Sequence, residues 1–171
     1  MSVVINQVDN ANVYINGNSK LGTAKKIKTP EFEVEFVEHD NLGLIGKLKL
    51  PSKVNALEGE ITWDGFYPEV AAIALNPFKN QQLMVRADVR VFNAAGMAAE
   101  VPLVMTMNVA FSKVNIGEYK KEPTEYAMTY QIHSIKQSID GKEILFYDAF
   151  SNQYRVAGED ILQKYRSNIG Q

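Results

Sequence analysis

The chain of 171 residues contains no cysteine. That excludes a disulfide framework, a thiolate nucleophile and any cysteine-ligated metal. Histidine is scarce too, with His39 and His133 the only two. Neither sign of charge dominates: 18 Lys and Arg stand against 20 Asp and Glu, a net of −2 at pH 7. A surface without basic excess is poorly suited to neutralising phosphates, so general nucleic-acid binding is not expected. No apolar run approaches the roughly 20 residues of a membrane-spanning helix. The opening MSVVINQVDNAN has neither the basic region nor the apolar core of a secretory leader. The expectation is a chain folded in the cytoplasm, whose subunit alone binds no membrane.

What is present is ordinary in amount and regular in pattern. Apolar residues make up 46% and charged residues 22%, which suits one globular domain over residues 1–171. In EFEVEFVE, Phe32, Val34 and Phe36 alternate with Glu31, Glu33 and Glu35, the signature of a strand with one buried and one wet face. DNLGLIG follows and puts Leu42, Leu44 and Ile45 at the tip of a hairpin that protrudes at about 38–50. LEGEITWDG alternates again, with Leu57, Ile61 and Trp63 opposite Glu58, Glu60 and Thr62; Gly59 inside it suggests a bulge. Pro68 before Val70, Ala71, Ile73 and Ala74 predicts one short helix, Glu69 to Leu75, stopped by Asn76-Pro77.

Long alternating runs make up much of the rest. Leu83, Val85, Ala87, Val89 and Val91 share one face; so do Leu103, Met105, Met107, Val109 and Phe111; so do Tyr126, Met128, Tyr130 and Ile132. Asn16-Gly17 and Asp140-Gly141 predict tight hairpin turns. A second short helix is expected over Glu159 to Tyr165. The fold class is therefore mainly β: an antiparallel sandwich or barrel with one or two short helices.

Catalytic groupings are weak throughout. His39 sits between Glu38 and Asp40, but adjacent strand residues point to opposite faces and do not converge on a metal. His133 falls on a polar strand face and suits a surface or interface role. The glutamates on each face look equally wet, unlike the unequally buried carboxylates of an acid–base pair. Ser112, Ser134 and Ser138 lack a nucleophile elbow, and no phosphate loop is present. Arg86 and Arg90 with Tyr126 and Tyr130 make at most a weak nucleic-acid platform. No catalysis, metal or cofactor is expected.

The C-terminal stretch IDGKEILFYDAFSNQYRVAGEDILQKYRSNIGQ resembles the end of the major tail tube proteins of contractile-tailed phages and R-type pyocins. In that family a strand ends in Asp-Gly, and a second carries an Asp before an Asn-containing turn. A short strand then ends in Gly, and a helix closes with Arg and an aliphatic-Gly pair. Asp140, Gly141, Asp148, Asn152, Gly158, Asp160, Arg166, Ile169 and Gly170 occupy those positions here. NVYINGNSKLG, TPEFEVEFVE and LEGEITWDGFYPEV resemble earlier family segments in the same order. Two features depart from the pattern: Gln171 at the end, and a loop at 39–47 with fewer glycines.

The resemblance implies a tail-tube-type fold and a structural role, with hexameric rings stacked into a hollow conduit for DNA inside a contractile sheath. Implied partners are other copies of the chain, the sheath, tape measure and baseplate proteins, and DNA that passes without specific binding. Implied locations are the host cytoplasm during assembly and the virion tail afterwards. On this reading Leu42, Leu44 and Ile45 contact the neighbouring ring, or else fold back on their own subunit. Glu31, Glu33, Glu35, Glu58 and Glu60, with Thr106, Asn108 and Ser112, line the lumen, or else form an external soluble face. The alternatives are a type VI secretion-like ring protein, a DNA-free tailocin tube, or a small-ligand β-barrel in which Trp63, Tyr126, Tyr130 and Tyr147 line a pocket.

Overall fold

The computed structural model describes residues 3–171. Strands β1 (Ile5–Ile15), β2 (Asn18–Ser19) and β3 (Ala24–Lys28) come first, followed by a separate hairpin, β4 (Val34–His39) and β5 (Leu48–Val54). Then come β6 (Leu57–Trp63), α1 (Pro68–Ala74), and the long strands β7 (Gln81–Asn93), β8 (Gly96–Val114) and β9 (Tyr126–Ile139). The chain closes with β10 (Lys142–Asp148), β11 (Gln153–Val156), β12 (Glu159–Asp160) and α2 (Gln163–Asn168).

All strand pairings are antiparallel, as expected from the short hairpin turns. The main sheet runs β12-β11-β10-β9-β8-β7-β1-β2. Strand β9 forks: Ser134–Ile139 pair with β10, while Tyr126–Ile132 pair with β6, which carries β3. The branch β3-β6 thus curls over the inner face of the main sheet, leaving β1 and β3 as edges along a shared cleft. Both hairpin turns form as expected, with positive φ at Asn16, Gly17, Asp140 and Gly141, the geometry of a type I′ turn.

The predicted inner faces of β7, β8 and β9 meet in one core through Leu83, Val85, Met107, Val109, Phe111 and Met128, joined by Val13 and Ile15 of β1 and by Ile135. Trp63 and Tyr130 fill its centre and are fully buried. One end is closed by α1, whose Val70 and Ala74 join the cluster. Helix α1 begins at Pro68, where the missing N–H costs nothing, and has Glu69 in its first turn.

Several details differ from the sequence reading. Strand β1 starts at Ile5, seven residues before the NVYINGNSKLG segment begins at Asn12. Strand β4 starts at Val34, so Glu31, Phe32 and Glu33 lie in an extended segment outside any ladder. Phe36 is not buried, because its hairpin has no layer beneath it. Gly59 marks no bulge: it pairs in register with Tyr130, whose ring occupies the space a side chain would need. The real bulges lie elsewhere. His133 is an extra residue in β9, which lets Ile132 and Ile135 both face inward, and Ser112 is an extra residue in β8. At the C-terminus, Glu159–Asp160 form an edge strand and the helix starts only at Gln163.

Candidate functional site

The β4–β5 hairpin forms its own two-stranded sheet and stands off the body. At about 3.3 Å per residue, its strands reach roughly 20 Å. Its root is anchored by Phe32, whose ring packs 5.6 Å from Tyr147 and 5.3 Å from Tyr154, and by the partly buried Val54. Lys47–Glu38 at 2.7 Å and Lys53–Glu35 at 3.4 Å tie the two strands together. Beyond the root, apolar side chains on both faces meet solvent: Phe36, Val37, Leu48 and Leu50. At the tip Leu42 and Ile45 are completely exposed, and Leu44 is 45% exposed. The tip does not fold back on its own subunit.

The eight expected lumen residues separate into four groups. Glu31, Glu33, Glu58 and Glu60 converge on one groove, shared with Lys28 and Thr129. Lys28 lies 3.6 Å from Glu31, and Gln131 donates to Glu58 at 2.6 Å. Glu35 belongs to the arm, through Lys53. Thr106 and Asn108 line a separate shallow groove on the outer face of the main sheet, beside Asn80, Gln82, Ser134 and Lys136. Ser112, at its bulge, is exposed and donates to the Thr129 carbonyl at 3.3 Å. The first and third groups share one sheet face, because Glu58 sits opposite Gln131 and Gln131 opposite Ala110, in the Thr106–Asn108 row of β8.

That convergence was not legible in the strand alternation, which placed Glu31, Glu33 and Glu35 together. Glu31 and Glu33 reach the groove from the segment between β3 and β4, outside the hairpin ladder that holds Glu35. Arg90 forms a further polar cluster, within 3.4 Å of Asp9, Asp88 and Glu100, so it is paired within the subunit. His133 accepts or donates through Nδ1 to Asn80 at 3.0 Å and stacks edge-on against Phe150.

The C-terminal segment is held by charge. Arg166 pairs with Asp160 and donates to the Asn152 carbonyl at 3.0 Å. The Arg166 hydrogen bond holds the Asp160 carboxyl below its usual range, helped by the Leu162 N–H. Arg155 forks onto Glu143 at 2.9 and 3.1 Å, lowering that carboxyl, and lies over the Phe146 ring at 3.9 Å.

The aromatic residues form no ligand pocket: Trp63 and Tyr130 are core, and Tyr126 and Tyr147 pack against it. An apolar cleft is open at the end of the core away from α1. It measures about 240 Å³ and is lined by Val8, Ala11, Ile27, Val85, Leu103 and Met105, among others. Among the described residues, no three His, Asp or Glu side chains are grouped so that they could hold a metal.

Residues 5–170 match the family described as phage tail tube protein FII. The tail tube protein of Escherichia phage P2 is 22% identical over 161 residues, covering 93% of this chain and 94% of that protein. Among solved structures, the sheath/tube terminator of an extracellular contractile injection system (PVC) is similar at a TM-score of 0.52. It is 11% identical, over 75% of this chain and 92% of that one. A chain from the anti-feeding prophage (AFP) baseplate is similar at 0.50, with 15% identity over 77% of this chain and 92% of its own.

Proposed function

The chain belongs to the phage tail tube protein family, and from that premise we propose that its copies close into hexameric rings that stack into a hollow tube inside a contractile sheath. The observation that carries this reading is the β4–β5 arm. Its wholly exposed Leu42 and Ile45 have no cover in the subunit. Burying each is worth about 1.5–3 kcal/mol, a large free energy to forgo without a partner. A projecting apolar tip with its receptor elsewhere on the same surface adds copies head to tail. The unpaired edges of β1 and β3 offer further backbone donors and acceptors for lateral contact.

The lumen wall is the outer face of β8 together with the acidic groove beside it. Thr106, Asn108 and Ser112 supply a neutral polar stretch, and Glu31, Glu33, Glu58 and Glu60 an acidic one. Such a wall repels phosphate and keeps water between itself and DNA, so DNA passes without being held. Glu35 stays with the arm. The sheath, tape measure and baseplate proteins are the remaining partners, with assembly in the host cytoplasm and a final place in the virion tail. The role is architectural and requires no catalytic group.

Negative-stain electron microscopy of the purified protein at rising concentration tests the reading, with sixfold rings and then tubes expected. Uniform monomers at every concentration would refute unaided assembly. Leu44→Asp is expected to leave the subunit folded and stop stacking; long tubes from that variant would remove the arm from the ring-to-ring contact.

A further inference from the structure

We propose that the receptor for the arm is the open apolar cleft at the end of the core: Leu42 and Ile45 of one copy insert between β1, β3 and β8 of a neighbouring copy. This rests on the tube reading and adds the identity of the socket.

Size and chemistry agree. The cleft holds about 240 Å³ and is lined mainly by aliphatic and thioether side chains, Val8, Ile27, Val85, Leu103 and Met105. That space suits a pair of branched aliphatic side chains such as the tip presents. The opposite end of the core is closed by α1, and this cleft gives apolar side chains from outside a way to join the core. The arm of the same copy does not fill it, since Leu42 and Ile45 are fully exposed.

Charge agrees as well. Ile27 lines both this cleft and the adjoining one between β1 and β3, where its neighbour Lys26 stands. Asp40 precedes the tip by two residues. Among the described residues Lys26 and Asp40 have no ion-pair partner, and insertion of the tip brings opposite charges to the same rim.

The area explains why copies need not dimerise. Two aliphatic side chains hide on the order of 200 Å² on their side, against about 800 Å² per partner in a stable interface. One contact is weak; a ring of them engages together, and linked contacts multiply.

The absence of cysteine allows a direct test. Val8, exposed at the cleft rim, and Ile45 are both changed to cysteine in one chain, which is assembled and oxidised. A disulfide requires Cβ atoms about 3.5–4.5 Å apart. A ladder of covalent multimers on a non-reducing gel is expected, absent when Ser112→Cys replaces Val8→Cys. A cross-linked monomer would put the tip in its own cleft, and dimers from Ile45→Cys alone would put tip against tip; either overturns the proposal. Tubes without a ladder overturn it and leave the tube reading standing. An unsubstituted chain that forms no tubes, together with a double variant that forms no cross-links, refutes unaided assembly and, with it, a socket formed between copies of this chain alone. Ala11→Trp supplies an independent check, filling the cleft from an exposed edge position. It is expected to retain the native circular dichroism spectrum and form no tubes; wild-type tubes from this variant would overturn the socket.

Discussion

Gly59→Ala is a sharp test of how this core is built. Gly59 lies on β6 directly opposite Tyr130 of β9, and the Tyr130 ring lies over it. A Cβ added at Gly59 would stand 2.5 Å from Cζ and 2.6 Å from both Cε2 and Oη. Favourable carbon contacts begin near 3.5 Å, so the ring or the strand must move by about 1 Å. The ring has little room, because Tyr130 is fully buried and its hydroxyl donates to the Lys28 carbonyl at 3.1 Å. Overpacking of this kind costs about 1–3 kcal/mol, and losing the hydrogen bond adds roughly 1. Alanine's lower unfolded-state entropy returns only about 0.4–1 kcal/mol. The expected net loss is about 1–3.5 kcal/mol, read from the urea midpoint at unchanged slope. Gly46→Ala is the control, since a Cβ there meets open space; its midpoint is expected to stay put or rise slightly. A Gly59→Ala midpoint within about 0.5 kcal/mol of wild type would refute the claim that Tyr130 requires a glycine beneath it.

Other outcomes follow from the same contacts. Burial raises the Tyr130 phenol well above its usual 10. The unfolded chain therefore loses its proton first, and the stability lost as pH climbs past about 10 is expected to shrink in Tyr130→Phe, measured by urea melts from pH 8 to 11. Asp160, lowered by Arg166, contributes stability that is present above the ordinary carboxylate pKa and lost as pH falls through its depressed value. The melting-temperature gap between wild type and Asp160→Asn is thus expected to be widest near neutrality and to close below about pH 4; a constant gap would contradict the pairing. Phe32→Ala removes the ring at the arm's root. For a partly buried phenylalanine the cost is about 2 kcal/mol, and hydrogen exchange over 34–39 is expected to speed up more than over β7 and β8.

The strands themselves were legible because the main sheet has one covered face. Period-two alternation then maps directly onto inside and outside, and Leu83, Val85, Met107, Val109, Met128 and Tyr130 face inward as read. The turns at Asn16-Gly17 and Asp140-Gly141 were equally clear, since few residues tolerate positive φ. The ordered family segments pointed to the tail tube family, and the match over 5–170 agrees. Alternation fails where the chain leaves a ladder or adds a residue. Phe36 alternates like a core residue yet is exposed, because no second layer covers its hairpin. The bulges at His133 and Ser112 reverse the phase without a local signal. The grouping of Glu31 and Glu33 with Glu58 and Glu60 depends on how the segment between β3 and β4 lies beside β6. By itself the sequence determined the strands, the tight turns and the family, because these follow from local sterics and from apolar spacing along one chain. The forked sheet, the unsupported arm and the cleft left open opposite α1 were decided only by the tertiary structure, because each depends on which segments, distant in sequence, cover one another.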